Sequence, residues 1–121
     1  MNPVGELEAL YEQWRRLTEG ERQAIEAATW SQVEQYQAAK SRLQPRITEV
    51  TQRLDTSVLE REFRPVIDEL IRLERRNSAL LQRQRNAAER QRLELDRTSR
   101  NLRQIHKSYV PPVRTHWHSY S

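Results

Sequence analysis

The sequence contains no cysteine, two glycines and one phenylalanine, and it has no long hydrophobic run. Without cysteine, the chain can form neither disulfide bonds nor cysteine-ligated zinc sites, and it has no thiolate nucleophile. The scarcity of glycine and of β-branched runs argues against β-sheets. No apolar stretch approaches the ~18 residues that a membrane-spanning helix needs. The first ten residues include Glu6 and Glu8 and lack the pattern of a signal peptide, so we expect a cytoplasmic protein.

The 121 residues correspond to about one domain, and 31% of them are charged. Leu, Ile, Val and Phe together supply 26 residues, which is little for a compact globule. Long amphipathic helices with a narrow buried face suit this composition better. We therefore predict an all-α fold.

Charge is distributed unevenly along the chain. Residues 1–60 carry a net charge of −3 and residues 61–121 a net charge of +7, and 19 of the 21 basic residues are arginine. A basic half can bind nucleic acid, an anionic membrane or an acidic protein. The alternative that we favour is a helix surface covered by ion pairs between residues four apart. Such pairs are Glu12–Arg16, Glu49–Arg53, Glu60–Arg64, Asp68–Arg72 and Asp96–Arg100.

The first two predicted helices cover residues 4–28 and 30–54. In each, one row of positions repeats at alternating spacings of three and four residues, which is typical of a helix that buries one face. The first row is Leu7, Leu10, Trp14, Leu17, Glu21, Ala24 and Ala28, and the second is Val33, Tyr36, Lys40, Leu43, Ile47, Val50 and Leu54. A five-residue step between the rows predicts a new helix near Thr29, although a kinked continuation is the alternative. Pro45 lies opposite the second row, where it predicts a kink.

The third predicted helix covers residues 58–108 and would be about 75 Å long at 1.5 Å per residue. Pro65 alternatively marks the first turn of a later start. Each earlier helix is about half as long, so either those two helices lie end to end along the third, or a second chain covers the surplus. We expect an elongated antiparallel bundle of three helices over residues 1–110, followed by a flexible tail, residues 111–121. The chain is expected to be a single domain.

Two polar series accompany the apolar row of the third helix. Amide side chains recur every seven residues at Asn77, Gln84 and Gln91. In coiled coils, such residues define register or oligomeric state, and a buried amide needs a partner. Arginines recur with the same spacing at Arg76, Arg83, Arg90 and Arg97. A partner helix with acidic flanking positions matches this series, and nucleic acid is the less favoured target because interleaved aromatic residues are missing.

No enzyme motif is present: the chain has no phosphate-binding loop, no nucleophile elbow and no HExxH sequence. We therefore expect a protein that is not an enzyme and that uses no cofactor. His116 and His118 flank Trp117 in the tail, where they could hold a transition metal weakly, but an unstructured tail, or one ordered only by a partner, is the favoured interpretation. Trp117 and Tyr120 have side chains suited to anchoring in a groove.

Three stretches of sequence resemble flagellar export chaperones of the FliT/FlgN type. They are Leu10-Tyr-Glu-Gln-Trp-Arg-Arg-Leu17, Ala28-Thr-Trp-Ser-Gln-Val33 and Phe63-Arg-Pro-Val-Ile67, with the stretch from Ile71 to Leu81 resembling FlgN as well. The resemblance covers about residues 7–110. It implies a small cytoplasmic all-α protein that binds a helix of a secreted flagellar subunit, of the filament-cap or hook-junction type. Such a protein prevents premature assembly of the subunit and delivers it to an export-gate protein.

Carried over position by position, the resemblance implies partner contacts at Leu95, Leu102, Ile105 and Tyr109. The arginine-rich helix and the Pro-Pro-containing tail depart from the family pattern. Two further hypotheses remain open: a structural coiled-coil protein that forms a homodimer, and a basic nucleic-acid-binding protein.

Overall fold

The computed structural model describes residues 2–109 and, within them, the side chains of residues 2–106. The chain forms α1 (Pro3–Glu26), α2 (Trp30–Gln52), the short α3 (Thr56–Val58), a π-helical turn (Leu59–Phe63) and α4 (Arg64–Tyr109). The described residues contain no strand. The predicted all-α class and the three helical segments are confirmed, since α3, the π-helical turn and α4 follow one another as the third segment. The predicted tail, residues 111–121, lies outside the described residues.

The first helix begins and ends with backbone caps. Asn2 is its N-cap, with the side-chain oxygen accepting from the Gly5 N–H at 2.7 Å. At the other end, Ala28 adopts a left-handed conformation with φ 56°, and the Thr29 N–H donates to the Ala24 carbonyl at 2.9 Å. This arrangement is a Schellman motif, which usually has glycine at the position of Ala28. The predicted break between the first two helices is therefore real.

Helices α1, α2 and α4 pack side by side in the compact unit that extends to Gln84. Glu6 contacts Arg53 and Glu21 contacts Lys40, so α1 and α2 run antiparallel. Trp14 contacts Glu74 and Ile25 contacts Gln84, so α1 and α4 run parallel. Two apolar clusters form the core: one around Leu7, Val50 and Phe63, and the other around Ala24, Ile25 and Val33.

Two prolines lie within the helical segments without ending them. Pro45 is exposed in the interior of α2, which continues to Gln52, so the prediction that it does not end the helix is confirmed. Pro65 follows the π-helical turn as the second residue of α4. Because a proline ring collides with the carbonyl four residues earlier, the wider turn provides the space that a regular helix would lack.

The second compact unit begins at Arg85 and contains the remaining part of α4. Every side chain from residue 88 to residue 105 is exposed. Across residues 2–109, no helix carries an apolar stretch long enough to span a membrane.

Candidate partner-binding surface

An apolar row continues along α4 from the bundle into the second unit. Ile105 belongs to the same seven-residue series as Phe63 and Leu70, which are buried. Leu95 and Leu102 belong to the series of Ile67 and Leu81, which pack against the two core clusters. We call Leu95, Leu102 and Ile105 the apolar stripe. The stripe therefore repeats, on the second unit, the helix face that builds the core of the first.

The apolar stripe is open to solvent, unlike its counterparts in the bundle. Leu95 is 68% exposed, Leu102 51% and Ile105 53%, whereas Phe63 is 1% exposed. Exposed leucines scattered singly are common on protein surfaces, whereas a row of them at helical spacing presents a continuous apolar strip to solvent. Residues 2–106 provide no side chain that covers this row.

Leu93 provides a comparison within the same unit. It is 51% exposed but precedes Leu95 by two residues, which places it about 200° away around the helix. It is therefore an isolated apolar residue on the opposite face, outside the apolar stripe.

The arginines of the two units differ in their partners. Of the twelve arginines in residues 2–84, nine form an ion pair with a carboxylate. Residues 85–106 contain six arginines and three carboxylates, and among the described residues only Arg92 is paired, with Glu89 at 2.6 Å. The predicted Asp96–Arg100 pair does not form. The second unit thus carries unneutralised positive charge as well as the apolar stripe.

The remaining predicted ion pairs formed only in part. Glu12–Arg16 and Glu60–Arg64 are present. Arg53 instead contacts Glu6 on α1. Asp68 pairs with Arg64, and Arg72 pairs with Glu69. Ion pairing within and between helices therefore accounts for most arginines of the bundle, although three of the five predicted pairs do not form.

Three of the residues predicted to bind a partner have partners inside the bundle. Asn77 is 3% exposed and donates to the Thr18 carbonyl and to Glu21, both at 2.8 Å. Gln84 donates to the Ile25 carbonyl at 3.3 Å, and Arg76 donates to Glu19 at 2.8 Å. These contacts belong to the fold of the first unit.

The other residues predicted to bind a partner either are exposed or have side chains outside the described residues. Arg83, Gln91, Arg90 and Arg97 are exposed. Tyr109 is the last residue of α4, and its side chain lies outside the described residues, as do His116, Trp117, His118 and Tyr120. Apart from Arg83, the exposed members lie in the second unit, which also carries the apolar stripe.

The bundle contains a buried polar network that the sequence analysis did not foresee. The Lys40 ammonium donates to Glu21 at 2.9 Å and to Glu74 at 2.6 Å, and the Trp14 indole N–H donates to Glu74 at 3.0 Å. Asn77 joins the network through Glu21. We call Glu21, Lys40, Glu74 and Asn77 the polar network. The available signal was the presence of Glu21 and Lys40 in the predicted buried rows, since buried side chains of opposite charge need to be paired.

Glu19, at the edge of the bundle, is a carboxyl group whose pKa is shifted by its neighbours. The Arg76 guanidinium donates to Glu19 and is the main cause that lowers the pKa of this carboxyl below its ordinary value of 4.5, against the opposing effect of burial. Arg22 donates to the same carboxylate. A paired carboxylate of this kind stabilises the helix contact while it is ionised.

Within the part of the chain that the structure describes, no group of three histidine, aspartate or glutamate residues could hold a metal ion. No protein family, curated protein or solved structure matches the chain.

Proposed function

We propose that this protein is a chaperone that binds an amphipathic helix of another protein along the second unit of α4. The single observation that carries the proposal is the apolar stripe, in which three large side chains are each at least half exposed. A helix that places its own apolar face on this stripe would continue the packing that α1 and α2 provide in the bundle. Helix-in-groove binding of this kind uses residues three and four apart as anchors.

The resemblance to flagellar export chaperones supplies the proposed class of partner. We propose that the partner is a secreted flagellar subunit of the filament-cap or hook-junction type. Binding would occupy the helix through which the subunit assembles and would keep it soluble in the cytoplasm until delivery to the export gate. The mechanism is mass action, because bound subunit is removed from the assembling pool.

Physical arguments count against both alternatives, the homodimer and the nucleic-acid-binding protein. A homodimer through the apolar stripe would bring two copies of the same unneutralised arginines together, which destabilises the pairing. Nucleic acid would neutralise the arginines but leave the leucines and Ile105 without an apolar contact. An amphipathic helix satisfies both features of the surface.

The experiment compares two leucine variants of the full chain. Isothermal titration measures binding of purified filament-cap and hook-junction subunits to the unaltered protein, to Leu95→Gln and to the control Leu93→Gln. Loss of one buried leucine contact of about 2 kcal/mol weakens binding about 30-fold. We expect this loss for Leu95→Gln and unchanged affinity for Leu93→Gln, because both leucines are exposed but only Leu95 belongs to the stripe.

Two results would contradict the proposal. One is an equal loss of binding in both variants, which would separate binding from the apolar stripe. The other is the absence of binding to either type of subunit. In that case, sedimentation equilibrium and retention of DNA or RNA at several salt concentrations distinguish the homodimer from the nucleic-acid-binding protein.

A further inference from the structure

The bundle shows how an arginine beside the buried face of α4 is neutralised. Arg76 lies at the edge of the contact between α4 and α1, where its Nη2 donates to Glu19 Oε1 at 2.8 Å. Glu19 lies on the neighbouring helix, and both side chains are about one-third exposed. A carboxylate on the packed helix is therefore the partner of Arg76, whereas Arg83, the next member of the series in the bundle, is exposed and forms no ion pair with a described residue.

Within the second unit, the same seven-residue series contains Arg90 and Arg97, which we call the arginine edge. Their spacing along the helix is about 10.5 Å. Among the described residues, neither has an ion-pair partner, although Glu94 and Asp96 lie nearby in sequence. The arginine edge thus carries two guanidinium groups in the series position that a carboxylate satisfies at Arg76.

We infer that the partner helix carries carboxylates at seven-residue spacing on the side that faces Arg90 and Arg97. This inference rests on the proposed function and specifies the chemistry of the partner. The occupant is an acidic amphipathic helix from another protein, and the arguments are charge complementarity and the Glu19–Arg76 pair. A second copy of this chain is a poor occupant, because residues 85–106 would bring six arginines and only three carboxylates. Acidic residues on the partner would orient it and accelerate association more than they would raise affinity.

The experiment uses the full chain and two synthetic helical peptides of 24 residues. Both peptides have leucine at the positions that meet the apolar stripe. One has glutamate at every seventh position along the facing edge, and the other has glutamine there. Fluorescence anisotropy measures the two dissociation constants at low and at high sodium chloride concentration.

We expect the acidic peptide to bind about fivefold more tightly at low salt, which is the ratio for two exposed ion pairs of ordinary strength. High salt should reduce this ratio because it screens exposed charges. The variant Arg90→Gln/Arg97→Gln should abolish the preference. The control Arg42→Gln/Arg75→Gln should retain it, since Arg42 and Arg75 are exposed arginines without ion pairs in the bundle.

The outcomes separate the inference from the proposed function. Equal binding of the two peptides, with sensitivity to Leu95→Gln, would overturn the inference and leave the proposed function standing. Binding of neither peptide would count against both. Loss of the preference in the Arg42→Gln/Arg75→Gln control as well would show that net charge, rather than the arginine edge, selects the acidic helix, and would also overturn the inference.

Discussion

Replacement of Lys40 by methionine tests the role of the polar network most directly. Lys40 is the one cation that contacts both Glu21 and Glu74. Methionine is similar in length and apolar, so the change removes the ammonium group with little change in volume. It leaves Glu21, whose side chain is 5% exposed, with the Asn77 amide as its remaining hydrogen-bond donor.

The expected loss of stability follows from the surroundings of the two carboxylates. Removing one partner of a buried ion pair costs about 3–5 kcal/mol because a charge remains buried without compensation. Glu74 reduces this figure, because its side chain is 37% exposed and it keeps hydrogen bonds from Trp14 and Thr18. We therefore expect Lys40→Met to lower the free energy of unfolding by about 2–4 kcal/mol.

Urea unfolding followed by circular dichroism at 222 nm measures this change. The double variant Glu21→Leu/Lys40→Met is the matched comparison, because it removes the buried carboxylate together with its cation. Apolar replacement of a buried pair is often close to neutral, so the double variant should be more stable than Lys40→Met. A single variant within about 0.5 kcal/mol of the unaltered protein would refute the reasoning, since changes of that size are usual at unremarkable surface sites. A double variant less stable than Lys40→Met would refute it as well.

Two further predictions concern the contacts of α1. Gly20→Ala should destabilise the protein by about 1 kcal/mol in thermal unfolding, despite the better helix propensity of alanine. The reason is that a Cβ at this position would lie 2.5 Å from the Tyr36 ring. The control Gly5→Ala, in the first turn of α1, should show no such loss. Glu19→Gln should lower stability at pH 7 by less than about 1 kcal/mol, because the pair with Arg76 is partly solvated. Arg76 lowers the pKa of Glu19 in the folded state, so the contribution of this ion pair to stability is present above pH 4.5 and is lost as the pH falls through the pKa of the folded state. Urea titrations of Glu19→Gln and of the unaltered protein should therefore give the same free energy of unfolding at acid pH. A difference that persists at pH 2 would contradict this origin.

Much of the fold could be predicted because each helix repeats its buried positions at helical spacing. The rows led by Leu7 and Val33 predicted two helices whose ends lie within two residues of those observed. The phase break at Ala28 indicated the turn correctly, but the Schellman motif that forms it depends on backbone angles that propensity does not reveal. The π-helical turn before Pro65 was not predicted, because the spacing of Leu59, Phe63 and Leu70 is also that of a regular α-helix.

The candidate site could likewise be predicted only in part from the sequence. The exposed apolar stripe follows from the periodicity together with the excess length of the third helix, both visible in the sequence. Asn77 and Arg76 also belong to the predicted series, yet they bind Glu21 and Glu19 on α1. The end of the neighbouring helix decides which residues of a series form contacts within the bundle. The sequence of α4 alone does not contain this information.

Local periodicity alone established that the chain is helical and which face of each helix is apolar, because side chains that recur every three and four residues lie on one side of a helix. Packing decided which parts of those faces are buried. It placed Lys40 of α2 between Glu21 of α1 and Glu74 of α4, and Glu74 is more than thirty residues from Lys40 in the sequence. It also left Leu95 and Leu102 exposed while their counterparts Ile67 and Leu81 contact the core. The physical reason is that burial is a property of pairs of segments distant in sequence, whereas a repeat describes only one segment.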